Sequence, residues 1–169
     1  MMSTKTGNRT SALQYAHDHY ANFLEELKEF GSISSVSTDP EAKPEMQHAA
    51  EWVAAQLRNL GVERVAIFST SGHPVIYGEF LAAGTVAPTV LIYGHYDVQP
   101  AEPLDLWVSD PFNPAIRGEN LYGRGVSDMK GQVMACLKAL EAIARTGKIP
   151  VNLKFLIEGE EEIGSINLQ

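Results

Sequence analysis

Apolar positions recur at three- and four-residue steps from Ala12 to Phe30, through Leu13, Ala16, Tyr20, Phe23, Leu24 and Leu27. That spacing predicts an amphipathic helix stopped by Gly31. A second helix is predicted from Pro44 to Leu60, with Met46, Ala49, Ala50, Trp52, Val53 and Leu57 on its apolar side. Pro44 suits a first turn, where its missing N–H is not needed, and Gly61 follows the end. The pattern then changes. Arg64 to Ser69, Val75 to Leu81 and Thr89 to Tyr93 read as strands, the first two separated by the turn Ser71-Gly72-His73-Pro74. Leu104 to Pro114 reads as irregular loop and Arg117 to Leu121 as a small hairpin. A third helix is predicted over Lys130 to Thr146 and a last strand over Val151 to Ile157. Two apolar strands joined through a helix of this length predict a βαβ unit, hence an α/β fold with a mostly parallel sheet flanked by helices.

Residues 1–10 lack periodicity and read as a disordered terminus; residues 11–169 read as a single unit. Gly164-Ser165 reads as the start of another helix with Ser165 as its N-cap. Only four residues follow Ser165, fewer than a stable helix needs, so the expectation is a chain that stops inside its domain.

Composition narrows the function. The chain of 169 residues has the length of one ordinary domain. Its net charge of −8, without a block of Lys and Arg, argues against nucleic acid and anionic membrane as partners. The first twenty residues are mixed in charge, unlike a secretory signal, and no apolar run approaches a membrane span. The single cysteine, Cys136, is expected as a buried apolar group in the third helix. One cysteine makes no internal disulfide, which fits a reducing compartment and a cytoplasmic location.

The chemistry gathers at strand ends. Thr89 to Tyr93 runs into Gly94-His95-Tyr96-Asp97. The last strand runs into Glu158, Glu160, Glu161 and Glu162. Between them, Asp128 stands among Gly123, Gly125 and Gly131 at a helix start. In open α/β sheets ligands collect outside the carboxyl ends of the strands. Residues two apart in extended chain point the same way, so Asp97 can bond one nitrogen of His95 while the other nitrogen binds metal. Asp128 either caps its helix or bridges two cations, which in two-metal sites stand about 3.5–4 Å apart. Of the adjacent Glu161 and Glu162, one can bind metal and the other can serve as general base. A solvated acidic loop is the ordinary reading of such a run, but here it directly follows a buried-looking strand.

Other candidates fall away. His17 and His19 face different sides of a helix, His48 is expected exposed on its helix, and His73 belongs to a turn. Ser127 has no neighbouring histidine. Gly123-x-Gly125 completes no phosphate-binding fingerprint. Trp52 is expected in the core, and Trp107 either over the site or burying its own loop.

Several motifs then stand together: Gly94-His95-Tyr96-Asp97-Val98-Gln99-Pro100, Leu106-Trp107 with Asp110-Pro111-Phe112, Leu121-Tyr122-Gly123-Arg124-Gly125, Ser127-Asp128-Met129-Lys130-Gly131 and Glu161-Glu162-Ile163-Gly164-Ser165. Through them the chain resembles, from about Leu24 onward, the di-zinc metallopeptidase family of carnosinase-type dipeptidases, glutamate carboxypeptidases, aminoacylases and succinyl-diaminopimelate desuccinylase. The form of the first motif is most similar to the dipeptidase branch.

The resemblance implies a zinc-peptidase-like catalytic domain, here incomplete, with a small peptide as substrate and two divalent cations as cofactors, Zn2+ or alternatively Mn2+ or Co2+. It implies that His95, Asp128 and Glu162 are metal ligands, with Asp128 bridging. Asp97 would orient His95 and Glu161 would be the general base, in a register anchored on the Glu-Glu-x-Gly-Ser ending; a shift onto Glu160 and Glu161 is the alternative. Met129 stands where family members often carry a second acidic or amide residue. Later ligands, a lid and dimerisation domain, and a homodimeric whole protein are also implied, so this chain alone is expected to be inactive. The rival readings are an N-acyl amino acid deacylase with the same site and a non-catalytic metal-binding module.

Overall fold

A computed structural model describes residues 4–168 of the chain. Helices α1 (Thr4–Asp18) and α2 (Tyr20–Ser32) stand where one helix from Ala12 is expected. Their hydrogen bonds run on across the junction, His19 N to Tyr15 O at 3.0 Å and Phe23 N to His19 O at 3.0 Å. Only His19, at φ −105° and ψ 7°, leaves helical geometry. The end expected to be disordered through residue 10 is helical from Thr4; residues 1–3 lie outside the described residues.

Helix α3 (Lys43–Asn59) follows, then β1 (Arg64–Phe68), β2 (Val75–Phe80) and β3 (Thr89–His95). A small hairpin of β4 (Ala115–Arg117) and β5 (Asn120–Tyr122) leads to α4 (Lys130–Thr146) and β6 (Asn152–Glu158). The main sheet has the order β1-β2-β6-β3. The expectation of a mostly parallel sheet is corrected here: β1–β2 and β2–β6 are antiparallel, and only β3–β6 is parallel. The reason lies in the connections. A short turn from Thr70 to Pro74 can only reverse the chain, whereas α4 lets β6 return alongside β3. In that parallel pair Gly94 stands opposite Ile157 and His95 opposite Glu158, so both strands deliver their carboxyl ends to one edge.

The helices cover one face of the sheet. Ile76, Leu153, Phe155 and Ile157 point into a core with Met46, Val53 and Leu57 of α3 and Val133, Met134 and Leu137 of α4. Trp52 is in this core, as expected, and stacks on Phe30 with ring centroids 4.4 Å apart. Cys136 is not in it. Val133, Met134, Leu137 and Lys138 define the inner stripe of α4, and the helical repeat turns Cys136 to solvent. A smaller cluster of Val36, Ala42 and Val98, with Phe112 against it, seats the loop after β3.

Lys130, the first residue of α4, is fully buried. Its Nζ donates to Phe30 O at 3.0 Å and Ile33 O at 2.6 Å, tying the end of α2 to the start of α4. Burial pushes this ammonium down to about 7, against the pull of Asp97 and Glu45. Ser165 does not cap a helix. After β6 a 3-10 turn, Glu161–Ile163, ends at Gly164 with φ 95°, and Ser165 follows at φ 51°.

Candidate metal centre

The site forms where the parallel pair ends. His95 closes β3, and its ring is held between two environments. Nδ1 lies 3.3 Å from Asp97 Oδ1 and 3.1 Å from the Asp97 carbonyl oxygen. Nε2 faces outward, 3.2 Å from Asp128 Oδ1 and 3.7 Å from Glu161 Oε2. With Nδ1 engaged by Asp97, Nε2 is the ring nitrogen left facing the carboxylates, and it is there that a proton and a metal would compete.

Asp97 is fully buried and does more than orient the ring. Its Oδ1 accepts the backbone N–H of Glu161 at 3.3 Å and its Oδ2 that of Glu162 at 3.1 Å. One carboxylate therefore fixes both the histidine and the turn that carries the two glutamates. The backbone around it is anchored in turn: Ser35 Oγ donates to Tyr96 O at 2.6 Å, and Val98 N donates to Ser35 O at 2.9 Å.

Ligand atoms of His95, Glu161 and Glu162 lie within 4.8 Å of one another. Asp128 reaches this group through His95 Nε2. Its carboxylate is turned to His95, and no side chain among the described residues caps α4, so the capping alternative is not the one seen. Glu160, the alternative in the register, turns away: its carboxylate accepts from His73 N at 3.0 Å and from Asn167. Glu158 also faces elsewhere, accepting from Tyr93 Oη at 2.5 Å and Ser165 Oγ at 2.7 Å.

The donor set fits a divalent cation. Two donors bound at about 2.0–2.1 Å to a tetrahedral zinc stand roughly 3.4 Å apart. The separations of 3.2 Å and 3.7 Å from Nε2 to Asp128 and Glu161 bracket that value. The electrostatics agree. Burial works to keep His95 neutral, but the hydrogen bonds and charge of Asp97, with the charge of Glu161, outweigh it and raise the imidazole to about 9. A group of carboxylates that holds a proton this firmly on a histidine is one that favours a cation.

Sequence reasoning missed Gln99. Its Nε2 donates to Glu162 Oε2 at 2.8 Å and to Glu162 O at 3.2 Å, bracing one of the candidate ligands. Its presence in the His95 motif was the available signal. Trp107 is tied to its own loop, donating from Nε1 to Ala101 O at 2.8 Å, while Leu104, Leu106 and Val108 around it stay exposed. Of the remaining histidines, His17 and His48 are exposed, and His19 stacks on Tyr15. His73 is buried, with Nε2 donating to Ser37 O at 2.9 Å.

The α/β fold thus gathers His95, Asp128, Glu161 and Glu162 at one edge of the sheet. A protein-family model, Peptidase family M20/M25/M40, matches residues 91–168, a stretch holding His95, Asp97, Asp128, Glu161 and Glu162. The Beta-Ala-His dipeptidase of Rattus norvegicus is 36% identical over 177 residues, covering 97% of this chain and 36% of the rat protein. The solved structure of the dipeptidase Dug1p from Saccharomyces cerevisiae superposes with a TM-score of 0.85 at 31% identity, covering 94% of this chain and 36% of that one. Human carnosine dipeptidase 1 superposes with a TM-score of 0.82 at 37% identity, covering 93% and 36%. The chain belongs to peptidase family M20/M25/M40. It spans 36% of the length of these relatives.

Proposed function

We propose that this chain carries part of the active centre of a metal-dependent dipeptidase that hydrolyses the peptide bond of dipeptides or short peptides. The observation that carries the reading is the double role of buried Asp97, which holds the His95 ring and both backbone N–H groups of Glu161 and Glu162. His95 Nε2, Asp128 and Glu162 would hold metal, with Asp128 positioned to be shared. Two divalent cations, Zn2+ or alternatively Mn2+ or Co2+, would supply polarisation of the scissile carbonyl and a lowered pKa of water.

The chain's own residues do the rest. Asp97 keeps His95 in the tautomer that presents Nε2. Gln99 braces Glu162 from the side. Glu161, half-exposed and 3.7 Å from Nε2, accepts the proton of the attacking water and returns it to the leaving amine.

One histidine and two carboxylates, with Asp128, are few donors for two cations, since a catalytic zinc takes three protein ligands. The reading therefore includes weak metal binding and no turnover by these 169 residues alone. For the whole protein it includes a homodimer in the cytoplasm; the family resemblance supports the first, and the second rests on this chain alone, whose one cysteine makes no internal disulfide.

The test is a chimera in which this chain replaces the matching segment of the yeast dipeptidase. It should hydrolyse dipeptides, lose activity on chelation and regain it with Zn2+, Mn2+ or Co2+. Glu161→Gln should lower kcat by about 10²–10⁴-fold, the ordinary worth of a general base. A folded chimera that binds metal but turns over equally with and without Glu161→Gln would overturn the assignment.

A further inference from the structure

Three glutamates follow β6, and only Glu161 and Glu162 face His95. The third, Glu160, is nearly fully buried, yet among the described residues no Lys or Arg pairs with it. Every hydrogen bond its carboxylate makes is to a neutral donor. Oε1 accepts from His73 N at 3.0 Å and Asn167 Nδ2 at 2.9 Å; Oε2 accepts from Asn167 N at 3.2 Å and Asn167 Nδ2 at 2.8 Å. Its backbone takes part too, since Glu160 O accepts from Ile163 N at 3.1 Å and Ser165 N at 2.7 Å. The β1–β2 turn is shaped to admit the carboxylate: a Cβ on Gly72 would lie 1.7 Å from Oε1. That turn is itself fastened, because His73 Nε2 donates to Ser37 O, two residues past the Ser35 that bonds the backbone on either side of Asp97.

We infer that Glu160 is a positioning residue: it latches the Glu161–Ile163 turn to the β1–β2 turn and so holds Glu161 and Glu162 against Asp97 and His95. The latch rests on the proposed metal site only for its consequence; the contacts stand without it. Glu160 and Asp97 grip the turn from two sides. Glu160 does so through its own side chain and carbonyl, Asp97 through the N–H groups of Glu161 and Glu162. Buried carboxylates satisfied wholly by donors are sensitive to a single donor-for-acceptor change. Supporting partners of metal ligands are typically worth about 10–100-fold in affinity.

The experiment uses the 169-residue chain and four variants: Glu160→Gln, Asn167→Ala, the swap Glu160→Gln with Asn167→Asp, and His95→Ala. Glu160→Gln places an amide N–H2 where only acceptors fit. The swap supplies a carboxylate from position 167 as acceptor for that amide, at unchanged net charge. Two quantities are read on the folded proteins: amide exchange at Glu161 and Glu162 by NMR, and Co2+ affinity by titration with the metal alone.

The expected result is exchange at both amides at least about tenfold faster in Glu160→Gln, slowed again in the swap, with Co2+ affinity lowered about 10–100-fold and recovered in step. Wild-type exchange at these two amides in folded Glu160→Gln overturns the latch. If Glu160→Gln does not fold, Asn167→Ala removes the two side-chain amide contacts to Glu160 from the other side, and its exchange decides. Equal Co2+ binding by the wild type and His95→Ala overturns the metal reading instead, and leaves the exchange measurement to decide the latch.

Discussion

The carboxylate of Asp97 lies 3.3 Å from Nδ1 of His95, and neither side chain is more than 3% exposed. A buried anion beside a histidine fixes which ring nitrogen carries hydrogen, and so which one can bind a metal. Asp97→Asn tests this with almost no change of shape. The amide keeps one acceptor for the N–H groups of Glu161 and Glu162 but faces the other with a donor. The His95 pKa, followed by NMR in metal-free protein, should fall from about 9 towards its ordinary 6.5. Co2+ affinity should fall by about 10–100-fold.

Much of this site was legible because its determinants are local. The period of α4 marked out Lys130 to Thr146, the bounds observed. The i, i+2 spacing pointed to the pairing of His95 with Asp97. The parallel pairing of β3 with β6 was legible in the helix that joins them, but the antiparallel majority of the sheet was not, because β6 enters between β2 and β3 and strand order is set by contacts far apart in sequence. The choice between Glu160 and Glu161 had the same character. It is made by His73 and Asn167 claiming Glu160, and nothing adjacent to Glu160 announces that. Cys136 was misplaced for a different reason: apolar neighbours surround it in sequence, but the helical repeat puts those neighbours on another face.

Gly159 makes room for a ring. A Cβ there would stand 2.3 Å from the hydroxyl oxygen of Tyr96, whose buried side chain donates to Pro74 O at 2.7 Å. The ring is rigid and packed, so it cannot yield cheaply. Gly159→Ala should cost about 1–3 kcal/mol in urea unfolding, the usual range for overpacking. It should also weaken Co2+ binding, since Gly159 links β6 to the turn with the candidate ligands. Stability unchanged within about 0.5 kcal/mol would mean that the backbone moves freely here.

Leu57 is fully buried between α3 and the sheet. Leu57→Ala should destabilise the protein by about 2–5 kcal/mol, while exposed Leu104→Ala should stay within about 0.5 kcal/mol. Denaturant unfolding of the two variants side by side checks whether the helices and the sheet form one cooperative core.

The proton on His95 and a metal compete for the same nitrogen, and that sets a pH dependence with a definite sign. In metal-free protein the His95 pKa is raised to about 9, above its ordinary 6.5. Protonation therefore favours the folded state. The contribution is fully present below about pH 6.5 and is lost as pH rises through about 9. The stability difference between wild type and His95→Gln, measured by urea unfolding in chelator, should thus shrink from about pH 6 to about pH 10. Metal binding runs the other way, because the ligand must be neutral. Between about pH 7 and 8.5 the Co2+ dissociation constant should fall about tenfold per pH unit as one proton is released, then level near about pH 9. A dissociation constant independent of pH across that range would show that His95 already stands neutral, and that the carboxylates around it do not hold the proton their geometry implies.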